Sequence, residues 1–324
     1  MPSALRQLPI WQEDGEPQAL LARNSVEYTT QSCKSILNRC RSPEMPFVWT
    51  INPYRGCEFA CTYCYARYTH GFLGHEDWLA FERHIYVKVN APEVARRTIR
   101  PENLRGRKVA LGTATDPYQP AERRFRITRG ILESLLHQDD LRFTITTKSP
   151  LICRDIDLLR RFAERGALVV HLSFTTLDPA LARLLEPRAP DPRARIRAVE
   201  ELSAAGIPVS LFVMPILPAI NDDEEHLEAI LAAGREAAAC YAVSNVLFLT
   251  SPARERFFLF LQRHFPDLVR NYWKVYSASS HQSSEYRAAV GERFEALARR
   301  HGFFPYERRA ANWANAPGEQ MELF

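Results

Sequence analysis

The sequence feature that most constrains the fold is a regular alternation of short apolar runs with longer amphipathic segments. The apolar runs have the composition of β-strands and lie at 47–51, 109–112, 143–147, 167–174, 209–214 and 243–249. Segments typical of helices lie between and after them, at 92–100, 128–137, 154–165, 192–205, 222–233 and 252–264. The alternation predicts an α/β fold with a parallel sheet and helices outside it. Six units are too few for a closed eight-stranded barrel, so we expect an open, partial (β/α)6 barrel.

The composition is that of an ordinary globular protein, since 46% of the 324 residues are hydrophobic and 25% are charged. The net charge of +4 is too small to indicate nucleic-acid binding by itself. No apolar run is long enough to span a bilayer, and no basic segment followed by an apolar core marks a secretion signal. Seven cysteines is an odd number, which argues against a disulfide framework. We therefore expect a cytoplasmic protein with no membrane attachment.

Three cysteines, Cys57, Cys61 and Cys64, directly follow the first predicted strand, and no fourth cysteine lies close behind them. Three thiolates can hold three irons of a cubane cluster and leave the fourth iron without a protein ligand, which makes it a place for chemistry. The alternative is a zinc site with a fourth ligand from His70 or His75. The paired spacings expected of zinc ligands are absent from this stretch.

The spacing of the three cysteines, with Tyr63 just before the last one, resembles the signature of the radical S-adenosylmethionine (SAM) superfamily. The resemblance implies a 4Fe-4S cluster on Cys57, Cys61 and Cys64, whose open iron chelates SAM. It further implies that reduction of the cluster cleaves SAM to a 5′-deoxyadenosyl radical, which abstracts a hydrogen atom from the substrate. The same partial barrel is the fold of this superfamily. An electron donor such as flavodoxin or ferredoxin is the implied partner.

Polar groups recur at the ends of the predicted strands, where such barrels carry their chemistry. The second strand is followed by Thr115 and Asp116, the third by Lys148, and the fourth ends near Ser173. The fifth ends in an apolar stretch that begins with Met214 and can flank an adenine ring. Each of these residues has an ordinary structural explanation by itself. As a set above one cysteine loop they favour a SAM-binding site.

A closer resemblance is to the spore photoproduct lyase branch of the superfamily, and within it to uncharacterised bacterial relatives of the lyase. It covers about residues 35–275 and is carried by the segments 52–67, 88–92, 112–120, 146–150, 154–155, 186–187, 206–208 and 215–218. It implies that Asp116, Lys148 and Ser173 contact SAM. It also implies that Tyr63 lies beside the adenine.

One position departs from the lyase pattern. The lyase carries a cysteine before its serine–aspartate pair, which returns a hydrogen atom to the product radical, and the matching residue here is Ala114. Cys153 and Cys240 both fall in segments expected to be helical. Cys153 follows the third strand closely and is the better candidate for a replacement hydrogen donor.

The C-terminal part is expected to be a helical cap on the barrel with a flexible tail. We divide the chain into an N-terminal extension (1–45), the partial barrel (46–254), a helical region (255–309) rich in aromatic core residues, and a tail (310–324). The tail ends with Gln320, Leu323 and Phe324, which resemble a peptide that docks bacterial DNA-processing proteins on the sliding clamp. The alternative is a frayed tail whose last two residues pack on the domain.

The leading functional interpretation is a radical SAM enzyme, lyase or modifying, whose substrate is nucleic acid, as in DNA-lesion repair or modification. One alternative directs the same chemistry at a peptide, a tRNA or a metabolite. Another, from a different class, is a non-catalytic, metal-stabilised adaptor of the DNA clamp. Between positions 94 and 129, ten basic side chains against three acidic ones form either a solvated helix face or a phosphate-binding surface.

Overall fold

The computed structural model describes residues 26–42, 45–100, 104, 106–138 and 141–303. Its strands are β1 (Glu27–Gln31), β2 (Leu37–Arg39), β3 (Trp49–Ile51), β4 (Tyr54–Arg55), β5 (His84–Lys88), β6 (Lys108–Leu111), β7 (Arg142–Thr147), β8 (Leu168–Phe174), β9 (Val209–Ile216) and β10 (Tyr241–Val246). Seven of them form one sheet in the order β10-β9-β8-β7-β6-β3-β2, and the other three form a small sheet in the order β1-β5-β4.

The helices surround the larger sheet and also follow it in the chain. They are α1 (Ala80–Arg83), α2 (Ala91–Thr98), α3 (Ala121–Phe125), α4 (Ile127–Leu135), α5 (Ile156–Ala163), α6 (Pro179–Leu185), α7 (Pro192–Ala204), α8 (Glu224–Glu236), α9 (Ala253–His264), α10 (Val269–Tyr276) and α11 (Ser284–Arg300). Three 3₁₀ helices add to them at Tyr65–Leu73, Pro150–Asp155 and Pro266–Leu268.

The larger sheet has the predicted parallel arrangement. Strands β3, β6, β7, β8, β9 and β10 each run parallel to their neighbour, and β2 pairs antiparallel with β3 at one edge. These six parallel strands are the six predicted from the apolar runs, so the expected partial barrel is confirmed. The strand predicted at 243–249 lies slightly earlier, at Tyr241–Val246.

The two faces of the sheet differ in burial. On β7 the outward residues Phe143 and Ile145 are buried in the main apolar core, whereas the inward residues Thr144 and Thr146 are half-buried. Helices cover the outward face, as expected for parallel strands joined by crossover helices. The inward side chains therefore line the interior of the barrel.

The described part of the N-terminal extension, residues 26–42, contains two strands. Strand β1 pairs with β5, and β2 pairs with β3. Strand β5 joins β1 to β4 in the small sheet. Helix α6 was not predicted; it begins at Pro179, and the side chain of Asp178 accepts a hydrogen bond from the N–H of Ala180.

The C-terminal helices α9 and α10 form the expected cap, whereas the buried residues of α11 belong to the main apolar core. Phe257, Phe258, Phe260, Tyr272 and Tyr276 are buried in one apolar cluster that also contains Tyr63 of the cysteine loop. The interpretation of these aromatic residues as core is confirmed. The domain boundaries remain predictions, and the clamp-like segment at 320–324 lies outside the described residues.

Among the described residues, no helix combines the length and the apolar character needed to cross a membrane.

Candidate metal and cofactor site

The loop that carries the three cysteines is held at its start by the small sheet. Strand β4 pairs with β5, and the N–H of Cys57 donates to the carbonyl of Phe81 at 2.9 Å. Gly56 between them has φ +85°, and a Cβ there would lie 2.8 Å from the Phe81 carbonyl oxygen and 2.9 Å from that of His84. Only glycine fits this turn without displacing backbone.

The three thiols are neighbours and are largely shielded from solvent. Cys57 is buried, Cys61 and Cys64 are half-buried, and all three pack with Phe59 and Phe81. Burial raises the pKa of all three thiols, that of Cys61 to about 12, and the charges of Cys61 and Cys64 further raise the pKa of Cys57. Thiols with raised pKa values deprotonate when a strongly bound cation replaces the proton. Three such groups on one loop are a donor set that fits iron.

The two histidines considered as zinc ligands lie against β5. Nε2 of His70 is 2.8 Å from the carbonyl oxygen of His84, and Nε2 of His75 is 2.7 Å from the hydroxyl of Tyr86. In the part of the chain that the structure describes, no three His, Cys, Asp or Glu side chains, the three cysteines included, form a group able to hold one metal ion. A cubane cluster does not need such a group, because each thiolate binds a separate iron. The contacts of the two histidines therefore do not favour the zinc alternative.

The turn after β6 connects the cysteine loop to β7. The carboxylate of Asp116 accepts hydrogen bonds from the Thr147 hydroxyl at 2.6 Å and from the N–H groups of Lys148 and Tyr118 at 2.8 and 2.9 Å. Burial raises the pKa of Asp116, and these hydrogen bonds act against that effect. The hydroxyl of Thr115 donates to the carbonyl of Gly56 at 2.5 Å, so the strand end and the cysteine loop are bonded directly.

Glu186, just after α6, joins several of the expected site residues. Its carboxylate accepts from the Tyr63 hydroxyl, from the Thr175 hydroxyl at 2.6 Å and from Nη2 of Arg195 at 2.5 Å. Nζ of Lys148 lies 3.7 Å from the same carboxylate. Burial opposes the ionisation of Glu186, but the charges of Arg195 and Lys148 and the two hydroxyls outweigh it and lower its pKa to about 2.

The sequence reasoning missed the role of Glu186 and Arg195. In the sequence, segment 186–187 only carries the resemblance, and Arg195 lies in a predicted helix with nothing that assigns it a role. The guanidinium of Arg195 also donates from Nη1 to the carbonyl of Ser173 at 3.1 Å. The pair therefore ties the end of β8 to the cysteine loop. A charged residue at a position on the apolar face of a predicted helix is the sequence signal that could have identified Arg195.

Ser173 and Met214 lie at adjacent strand ends, as expected. Ser173 is buried on the inward face of β8, and Met214 is half-buried on β9 two residues after Phe212, the register partner of Ser173. Deeper in the barrel, His171 is buried and stacks on Phe212 with ring centroids 3.9 Å apart. Burial lowers the pKa of His171 to about 3, so its imidazole is neutral at pH 7.

The candidate hydrogen donors lie apart from this group. The thiol of Cys153 is 3.9 Å from the carbonyl oxygen of Ala198 on α7, the helix that covers the outward face. Burial and Glu201 of the same helix raise the pKa of Cys153 to about 12. Cys240 does not lie in a helix, contrary to expectation, but just before β10. Ala114 packs beside the cysteines, and its N–H donates to Oδ1 of Asn52 at 2.8 Å.

Both the sequence and the fold of this chain match those of known proteins. Residues 51–230 match the family model described as the Radical SAM superfamily. An uncharacterized protein of Mycobacterium tuberculosis (strain ATCC 25618 / H37Rv) is 36% identical over 266 residues, which are 82% of this chain and 78% of that protein. An uncharacterized protein of Methanocaldococcus jannaschii is 29% identical over 244 residues, 75% of this chain and 86% of that protein.

Solved structures of spore photoproduct lyase share the fold. One, with bound AdoMet and dinucleoside spore photoproduct, has a TM-score of 0.59 and 16% identity, covering 86% of this chain and 80% of the lyase chain. Another, complexed with dinucleoside spore photoproduct, has a TM-score of 0.60. At this identity the likeness concerns the fold alone.

Proposed function

The chain belongs to the radical SAM superfamily, and from that premise we propose that it is an enzyme that binds a 4Fe-4S cluster through Cys57, Cys61 and Cys64 and cleaves SAM reductively. The observation that carries the proposal is the group of three neighbouring thiols, one buried and two half-buried, on one loop beside Asp116. When bound, the cluster supplies an electron to SAM, and the resulting 5′-deoxyadenosyl radical starts hydrogen abstraction.

The residues around the loop have the chemistry to bind and orient SAM. Lys148 places its side-chain ammonium group near the loop. The side chain is 13% exposed and suits the carboxylate of SAM. Asp116 and Ser173 offer acceptors for an ammonium group or ribose hydroxyls, and Thr115 holds the turn in place. We assign the adenine to the apolar surface formed by Tyr63 and Met214. The Tyr63 ring is kept in one orientation by the hydrogen bond that its hydroxyl donates to Glu186.

Anaerobic reconstitution with iron and sulfide, followed by dithionite and SAM, tests the enzyme proposal. We expect the wild-type protein to form 5′-deoxyadenosine and Cys61→Ala to form none. Cys33→Ala is the matched control, because Cys33 lies before the loop and packs on the main core. Formation of 5′-deoxyadenosine by Cys61→Ala at the wild-type rate, or none by the wild type, would overturn the proposal.

We propose nucleic acid as the substrate class. Support comes from the fold shared with a lyase solved with a dinucleoside ligand. The basic segment contributes less than its charge count suggests, because Arg129 at its end pairs with Asp155 and Asp157. The exposed basic side chains of α3 and the turn after it remain for phosphate contacts: Arg123, Arg124 and Arg126.

Binding of lesion-bearing and undamaged DNA, measured over a range of salt concentrations, tests the substrate class. We expect Arg123→Gln/Arg124→Gln to bind more weakly and to reduce the slope of log K against log salt by about 2, roughly one per lost phosphate contact. Arg160→Gln/Arg161→Gln, on exposed positions of α5 outside the basic segment, is the control. An unchanged slope in the α3 variant, together with weak wild-type binding at moderate salt, would direct the search to a peptide, tRNA or metabolite.

We also propose a cytoplasmic location, because a thiolate-held cluster needs reducing conditions. Flavodoxin or ferredoxin is the proposed electron donor.

Gln320, Leu323 and Phe324 are proposed to dock on the sliding clamp. A pull-down with the full chain and with a chain lacking 320–324 tests this proposal. Equal capture of both chains would contradict it.

A further inference from the structure

Arg256 on α9 is a buried cation that forms no ion pair among the described residues. The carboxylate whose charge acts on it, that of Glu82, is already paired with Arg67. Arg256 is 6% exposed, and its Nε makes no hydrogen bond. No ion pair joins it to any Asp or Glu in the described part of the chain. Burial lowers the pKa of Arg256 to about 10, so it keeps its charge at neutral pH. A buried charge without a partner is strongly unfavourable, which suggests that its counter-charge comes from a bound group.

The position of Arg256 indicates where that group binds. Its guanidinium lies 5.4 Å from the ring centroid of Trp78, and that of Arg67 lies 5.7 Å from the same ring. Nη2 of Arg67 donates to the carbonyl of Cys61 at 2.9 Å. Cys61 packs against the apolar cluster that contains Phe257, the residue next to Arg256. Arg256 is thus a second cation beside the cysteine loop.

The charges of the described side chains around Trp78 do not sum to zero. Arg67 forms an ion pair with Glu82 at 2.6 Å, while Arg256 adds a further positive charge. A 4Fe-4S core of charge 2+ with three thiolates has a net charge of −1, and one added electron makes it −2. A nearby cation interacts more strongly with the second state.

We propose that Arg256 stabilises the reduced state of the cluster held by Cys57, Cys61 and Cys64 and thereby raises its reduction potential. The step is a one-electron reduction by an external donor of the flavodoxin or ferredoxin class; no bond to Arg256 forms or breaks. Arg256 acts through its charge and is a positioning residue rather than a catalytic one. The proposal rests on the cluster site proposed above.

The test is an anaerobic redox titration of the reconstituted protein, with the reduced cluster measured by electron paramagnetic resonance. We expect Arg256→Gln to shift the one-electron equilibrium about tenfold towards the oxidised state, which is about 59 mV lower in potential. Arg256→Lys keeps the charge and should stay near the wild type. Arg263→Gln is the matched control, because it removes an exposed charge from the same helix.

Iron content and circular dichroism are measured first, so that each result has one meaning. A wild-type protein that binds no iron defeats the proposed function itself. A wild-type cluster whose potential is unchanged in Arg256→Gln overturns only the role of Arg256. Arg256→Met, which keeps the apolar stem of the side chain, replaces Arg256→Gln if the latter does not fold, and an unchanged potential there has the same consequence.

Discussion

Neutralising Glu186 tests the buried network below the cysteine loop. The carboxylate is 1% exposed and accepts from Arg195, Thr175 and the Tyr63 hydroxyl, with Lys148 close by. Glu186→Gln keeps the size of the side chain and one acceptor oxygen but removes the charge. Arg195, also 1% exposed, then becomes a buried cation without its carboxylate.

Two independent arguments give the magnitude. Removing one partner of a buried ion pair costs about 3–5 kcal/mol. The pKa of Glu186 is about 2 in the folded chain against 4.5 for an unperturbed side chain. That difference corresponds to about 3 kcal/mol of stability at neutral pH. We therefore expect Glu186→Gln to lower the free energy of unfolding by about 3–4 kcal/mol.

Urea unfolding followed by circular dichroism, at pH 7 and at acidic pH, measures this loss. Because the folded pKa lies below the unfolded value, the stabilisation by Glu186 is complete above pH 4.5 and disappears as the pH falls towards 2. The difference between wild type and variant should shrink over the same range. Glu295→Gln, which breaks an exposed pair with Arg299, should cost less than about 1 kcal/mol. A loss at pH 7 no larger than in this control, or one that does not change with pH, would refute the reasoning.

Two further predictions concern Gly112 and His171, and Gly291 on α11 supplies a control for the first. Gly112→Ala should lose about 2 kcal/mol or more in urea unfolding, because φ is +92° and a Cβ would lie 2.6 Å from the Thr146 carbonyl oxygen. Gly291→Ala in α11, with no atom within 4 Å, should instead gain about 1 kcal/mol. Wild-type stability should fall by about 2 kcal/mol from pH 7 to pH 5 because of His171, whose folded pKa lies below its unfolded value of 6.5. His171→Gln should not show this part of the fall, and parallel pH profiles would contradict the assignment.

The parallel strands were predictable because burial on the sheet leaves a direct mark on composition. Every residue of β8 from Leu168 to Phe174 is buried, and the apolar run at 167–174 shows it. The same rule fails for β1 and β2, which are polar and largely exposed. These two are strands because β5 and β3 supply backbone partners, and local composition does not contain that information.

The site was predictable only where the residues stand together in the chain. The three thiols lie on one loop, so their spacing identifies them. Glu186 is 123 residues from Tyr63 and follows a helix that periodicity did not predict. Its function as a common acceptor depends on the way β8, α7 and the loop meet in the folded chain. Arg256 is another example, because its significance comes from the lack of an ion pair among the described residues, which only the folded structure shows.

The cover over Cys61 comes from a part of the chain that the ribosome makes late. The small sheet, which holds the start of the cysteine loop, is complete once residues 27–88 have emerged. The side chains that shield Cys61 and Tyr63, led by Phe257 and Phe258, follow only after all six parallel strands. During most of synthesis Cys61 therefore lacks this cover and is open to oxidants and to competing soft metal ions. A fragment that ends before residue 253 keeps the loop but leaves Cys61 without this shield.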